Sequence, residues 1–154
     1  MAKAKKEYKE VGVNLQLKAI ELLRQSFHLP ADVEAESLTS FTFKLGANFT
    51  ANAVDKLLFV VVNVEVYDGQ EKHAIASIVV SCVYYVANFN EVIKTGDNGN
   101  FSFPTPLVEK LVSDAISTTR GVMFAAFKGT FLHNAILPIM DGNTILKQQG
   151  VVVP

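Results

Sequence analysis

The sequence has a single cysteine, Cys82, so no disulfide can form within the chain and a cytoplasmic compartment is the expectation. It has no excess of either charge: 14 basic and 15 acidic residues give a formal net charge of −1, no general field for nucleic acid or an anionic membrane. No stretch approaches the roughly 20 uninterrupted apolar residues of a membrane span. Glycine-rich phosphate loops, GxSxG elbows, HExxH and CxxC pairs are all missing. His28, His73 and His133 stand far apart, without metal-ligand spacing. Cys82 lies among Val80, Ser81, Val83 and Tyr84, which offer it no base, so it reads as a buried, inert thiol. No catalytic residue, metal or cofactor is expected, and the chain is not read as an enzyme.

What is present is apolar surface. Hydrophobic residues make up 49% of the 154 and charged residues 19%, enough for one domain with a proper core and a surplus that favours association. Lys3, Lys5, Lys6 and Lys9 crowd the start, followed by no apolar run of the secretory kind. Residues 1–14 therefore read as a solvated basic leader, 15–148 as the single domain and 149–154 as a short tail.

The clearest local signal is Asp68-Gly69 between two long apolar runs, Leu57 to Tyr67 and His73 to Phe89. An Asp-Gly pair between extended runs predicts an antiparallel hairpin, because a tight turn of matching twist needs positive φ at its centre. A two-residue turn pairs Tyr67 with Gln70, Glu65 with Lys72, Val62 with Ile75 and Phe59 with Ile78. That register puts Val62, Ile75 and Val79 on one face and Phe59, Val61, Ile78 and Val80 on the other. A sheet apolar on both faces must be covered twice.

Elsewhere the pattern is mixed. Leu15, Ala19, Leu22, Leu23 and Phe27 recur at helical spacing, although Leu15, Leu17 and Ala19 alternate as in a strand. Pro30 ends this segment, and Ala31 to Glu36 reads as an exposed acidic crossover loop. Leu38 to Ala51 alternates cleanly as a half-buried strand, with Phe41, Phe43, Leu45, Ala47 and Phe49 on one side. A helix is expected from a Thr105 cap and Pro106 to a stop at Arg120-Gly121, with Leu107, Val108, Leu111, Val112, Ala115 and Ile116 as its apolar stripe. Beyond lie an irregular apolar segment to Pro138 and a last short helix over Gly142 to Gln148.

The order of these elements resembles the protein-export chaperone SecB. The carriers are Leu15-Gln16-Leu17, Ile20 and Ser26-Phe27 before Pro30, the central hairpin, Phe103-Pro104, Arg120-Gly121 and Leu137-Pro138. The resemblance implies an α+β fold with a four-stranded antiparallel sheet and helices packed on one face, and on that ground Leu15 to Leu29 is taken as strand. It also implies a homotetramer, a dimer of dimers with the long helices between sheets. The implied function is an ATP-independent holdase binding unfolded polypeptides in apolar grooves, in export or for one particular client. Carried over, the client groove falls on Phe41, Phe43, Leu45, Ile75 and Val79. In SecB, acidic residues on the first strand and outer sheet face dock a translocation ATPase. Here the matching positions are Arg24, His28 and Ile78, which compromises such a dock and leaves Phe59, Val61, Ile78 and Val80 for another partner. A non-catalytic assembly protein or small apolar-ligand binder of the same fold is the alternative. Nucleic-acid binding and membrane insertion are not expected.

Overall fold

The computed structural model describes residues 12–148, so most of the basic leader and the whole 149–154 tail lie outside the described residues. Strands β1 (Leu15–Phe27), β2 (Phe41–Asn52), β3 (Leu57–Asp68) and β4 (Ala74–Val86) form one antiparallel sheet in the order β1-β4-β3-β2. A short helix α1 (Phe89–Val92) and a small ribbon, β5 (Lys94–Thr95) with β6 (Phe101–Ser102), lead into the long helix α2 (Thr105–Phe127). Helix α3 (Gly142–Gln148) follows. Helix α2 lies on β3 and β4, and α3 packs against α2 and β2. The expected α+β architecture is the one observed.

Leu15 to Phe27 is strand, and two bulges explain its helix-like spacing. Register shifts between Leu17 and Ala19 and between Leu22 and Arg24 each insert one residue. The side chains sharing the helix-bearing face are therefore Leu15, Leu17, Ile20, Leu22, Gln25 and Phe27. Their steps alternate between two and three residues, which imitates a helical period.

The β3–β4 register departs from the two-residue turn. Tyr67 pairs with Ala74 rather than Gln70, and the Asp68 N–H donates to the His73 carbonyl at 3.3 Å, closing a wide connection. Asp68 holds that connection open: its Oδ1 accepts the backbone N–H of Gln70 and of Lys72, each at 3.1 Å. Glu71 takes the left-handed conformation, with φ 58°. Gly69 is favoured for a different reason: a Cβ there would fall on the Ser40 hydroxyl of the facing loop, which would have to turn away. A register shift lies between Val66 and Tyr67, and from Ala76 onward the slip is five residues, an odd number, so those β4 side chains move to the opposite face from the one expected.

The central core is correspondingly β3's Leu58, Val60, Val62, Val64 and Val66 beside β4's Tyr84, Cys82, Val80, Ile78 and Ala76, all buried under the helices. Ile78 and Val80, expected on the outer face, lie on this inner one and are fully buried. Val79, expected inside, faces out opposite Asn63.

Helix α2 also exceeds its expected length. Pro104 caps it and Thr105 is its first residue, and it runs through Gly121 to Phe127. The buried stripe explains the extension, because Thr119, Met123 and Phe127 continue the row begun by Leu107, Leu111, Val112 and Ile116. Burying Met123 and Phe127 outweighs the cost of about 1 kcal/mol for glycine inside a helix. Arg120 therefore does not sit at the helix end; its Nε and an Nη donate to the carbonyls of Leu137 and Pro138 at 2.7 Å each, anchoring the return loop. Aromatic rings close both ends of the core, Phe49 against Phe103 at 5.7 Å and Phe27 against Phe127 at 5.5 Å.

Candidate functional site

Among the described residues, the longest row of exposed large apolar side chains lies on the helix side of β1. As α2 lies on β3 and β4, it leaves this edge strand largely bare: Leu17 is 43% exposed, Ile20 49%, Leu22 47% and Phe27 39%. Leu23, at the second bulge, is 54% exposed. Between β1 and α2 runs an open groove of about 470 Å3, lined by Leu15, Leu17, Tyr84 and Leu111 and walled by Lys110, Ser113, Asp114 and Ser117.

The groove combines an apolar floor with a fixed polar wall. The Tyr84 hydroxyl donates to Asp114 Oδ2 at 2.6 Å, which satisfies a phenol that is otherwise buried. Burial and that bond to the carboxylate push the Tyr84 hydroxyl far above the usual tyrosine range. Burial likewise raises the Cys82 thiol, so the buried cysteine is held protonated beneath α2.

The expected groove residues are not brought together. Phe41, Phe43 and Leu45 do share the helix-bearing face, opposite Asp68, Val66 and Val64, and they sit half-buried along the other sheet edge, β2. Ile75 is fully buried at the start of β4, its carbonyl accepting the His28 N–H at 2.8 Å. Val79 is on the outer face between Asn63 and Arg24.

Of the expected outer-face contacts, Phe59 and Val61 are placed there, half-buried, beside Val83 and Ser81. Ile78 and Val80 are not. The outer face is mixed in character: Lys44 Nζ stands 4.4 Å over the Tyr67 ring, and the Tyr67 hydroxyl donates to Glu65 at 2.8 Å. Glu65 thus lies opposite Lys44 on β2 and Ser77 on β4 rather than opposite Lys72. Asn63 Oδ1 and Thr42 Oγ1 are buried there without a hydrogen-bond partner. Arg24 and His28 are exposed, whereas Ile78 cannot mark a dock on this face.

A second, polar cleft of about 350 Å3 separates the crossover loop from the β3–β4 connection, lined by Asp32, Ser37, Asp68, Gln70, Lys72 and His73 among others. His73 Nε2 lies 3.7 Å from Asp32 Oδ2 across it. Among the described residues, no group of three His, Cys, Asp or Glu side chains is placed to hold a metal. No described helix is long and apolar enough to cross a membrane.

No family model and no curated protein sequence matches the chain. Among solved structures, the chain is similar to the Mycobacterium tuberculosis Rv1957 SecB-like chaperone in complex with a ChAD peptide from the Rv1956 HigA1 antitoxin. That likeness has a TM-score of 0.52 at 9% identity and covers 82% of this chain and 87% of that one. A protein of unknown function from Streptococcus agalactiae also matches, with TM-score 0.40, 10% identity and coverage of 77% and 90%. The chain therefore has the fold of a SecB-like chaperone.

Proposed function

We propose that this protein is an ATP-independent holdase that binds non-native polypeptide along the helix side of the sheet, with Leu17, Ile20, Leu22 and Phe27 as its main apolar contacts. The exposure of that row on an edge strand is the observation that carries the reading. Monomeric soluble proteins rarely leave a contiguous apolar strip of this kind open unless something binds it. Unfolded chains share exposed apolar side chains rather than a sequence, so a broad strip of Leu and Ile, without a shaped pocket, selects for the unfolded state. The half-buried Phe41, Phe43 and Leu45 at the far edge offer the same client a second contact, and two weak contacts raise affinity through effective concentration.

The open backbone of β1 is read as pairing with β1 of a second copy. An exposed, long, apolar edge strand is otherwise an aggregation site. Pairing occupies the backbone N–H and C=O groups and leaves the helix-side row of both strands as one continuous floor. A dimer of dimers built on that unit is the assembly the fold suggests. The neighbour with this fold was solved with an antitoxin peptide. With Arg24 and His28 where the export chaperone is acidic, a dedicated client of that kind suits this chain better than a translocation ATPase. Near-stoichiometric co-purification of such an ATPase would contradict that part.

The test is suppression of aggregation of several unrelated denatured proteins at near-equimolar dose, without ATP. Ile20→Asp with Leu22→Asp is expected to abolish it while leaving the fold intact, since both side chains are already half in water. Undiminished suppression by that variant would overturn the site.

A further inference from the structure

Strand β2 closes the sheet at the edge opposite β1, and it pairs with β3 along its whole length without a bulge. It contains no proline, and its one charged side chain, Lys44, is turned back over the Tyr67 ring of β3 at 4.4 Å. Prolines, bulges and outward lysines are the usual devices that stop a sheet edge from pairing, and β2 presents none of them to the open side. The hydrogen bonds fix which backbone groups that side offers. At the two ends of β3, the Lys56 carbonyl accepts the Val86 N–H at 2.9 Å and the Asp68 N–H donates to the His73 carbonyl at 3.3 Å. Even-numbered residues of β3 therefore face β4, and odd-numbered ones, Leu57 to Tyr67, bond to the even-numbered residues of β2, Asn52 to Thr42. What remains for the open edge is the backbone of the odd-numbered residues, and among the described residues none of those outward groups has a hydrogen-bond partner. Ala47, 8% exposed, interrupts the edge and leaves Phe41, Phe43 and Leu45 as the longer accessible run.

The same three residues hold their half-buried side chains on the helix side, while Thr42 and Lys44 between them lie on the outer face. Free backbone and apolar side chains thus coincide on one short stretch. A small apolar ligand would leave the N–H and C=O groups unpaired, whereas an extended polypeptide satisfies both. A further copy of this chain does not fit, because with β1 already paired to a second copy it would extend the sheet as an open fibre. We propose that the Phe41–Leu45 edge of β2 captures an extended client segment as a fifth strand, bonded through the backbone of Phe41, Phe43 and Leu45. The segment it takes is apolar at every second residue, to lie beside Phe41, Phe43 and Leu45 on the helix side, and polar between. This rests on the reading of the protein as a holdase and gives the far edge a bonding mode of its own. Strand addition needs a client backbone that is free, which a folded protein does not offer, so it selects the unfolded state without reading a sequence.

The test is residue-resolved amide exchange on the full chain, alone and with reduced, carboxymethylated α-lactalbumin, a client that stays unfolded. The Phe43 and Leu45 amides are expected to exchange fast in the free protein and to become protected with the client, while Thr42 and Lys44 are protected in both. Phe43→Pro removes one outward N–H and leaves the bonds to β3 in place; Phe43→Ala removes only the ring. The proline variant is expected to bind that client at least about fivefold more weakly than the alanine one, the worth of one net hydrogen bond. Should the proline variant fail to fold, the exchange pattern of the parent decides. Equal affinities of two folded variants, or Phe43 and Leu45 amides left unprotected while the client is bound, would overturn strand addition and leave the holdase standing. No binding of the client at all would overturn both. Protection of these amides in the free protein that rises with its concentration would put a second copy on the edge and overturn the proposal.

Discussion

At the scale of single residues, the outer and inner faces of β4 make opposite demands. Ile78 is fully buried against α2 and its neighbours on β3, so Ile78→Ala should cost roughly 2–5 kcal/mol by lost transfer energy and the cavity left behind. Val79→Ala, one residue on and half-exposed, should cost well under half as much. Chemical denaturation of the two variants checks this, and equal losses would mean that the register is wrong. Asp141 behaves differently, through charge. Its Oδ1 accepts the Thr144 N–H at 2.7 Å and the Thr144 hydroxyl at 3.0 Å at the start of α3. Those bonds, the backbone one foremost, hold its carboxyl below the usual carboxylate range. A folded-state pKa below the unfolded one stabilises the fold above the unfolded value and is lost as pH falls through the folded one. Stability measured from about pH 6 downward should therefore decline less steeply for Asp141→Asn than for the parent, starting from a lower plateau. Parallel curves would remove Asp141 from the acid limb.

At the scale of elements, Gly121 offers the plainest test of why α2 is long. It is helical and exposed, and a Cβ there would meet nothing within 4 Å. Gly121→Ala should raise stability by about 0.5–1 kcal/mol, seen as a higher melting temperature, because it reduces the freedom of the unfolded chain without crowding the folded one. A loss of stability would mean that another surface closes on this face. The glycine is also where sequence reasoning stopped the helix. Local chemistry at Arg120-Gly121 fits a helix end, but Met123 and Phe127 lie three and seven residues beyond Arg120, on the buried stripe, and tertiary burial overrode the local signal. The same contest explains the other departures. Alternation in β2 and β3 was legible because one residue per step alternates without interruption. In β1 two bulges disguised the alternation beyond its first residues, and the family resemblance decided for a strand. In the hairpin, Asp68-Gly69 marked the right place but not the turn type, because Asp68 spends its carboxylate on Gln70 and Lys72. That single misjudged loop moved Val79 out of the expected groove and Ile78 and Val80 into the core. The exposed row of β1 escaped notice for a related reason: which sheet strand a helix leaves bare depends on strand order and on where α2 crosses, and neither is written in local periodicity.

At the scale of the whole molecule, apolar surplus, uncovered edge and fold all support the proposal that this protein works by association. The sheet and α2 bury the central strands on the helix side, and the 49% hydrophobic content is more than that core absorbs. What remains lies mostly along one edge, where a second copy would complete the sheet and a client would cover the side chains. Size is therefore expected to exceed that of a monomer, and Leu22→Asp alone should weaken client binding more than it weakens the dimer, since pairing uses backbone and client binding uses the side chain. The central claim, that the helix side of β1 binds unfolded polypeptide, is tested most directly by hydrogen exchange on the protein with and without a permanently unfolded client. The account expects new protection in peptides covering Leu15–Phe27 and the facing part of α2, with the outer-face peptide around Phe59 and Val61 unchanged. Protection confined to the outer face, or none at β1 when the client is bound, would contradict it.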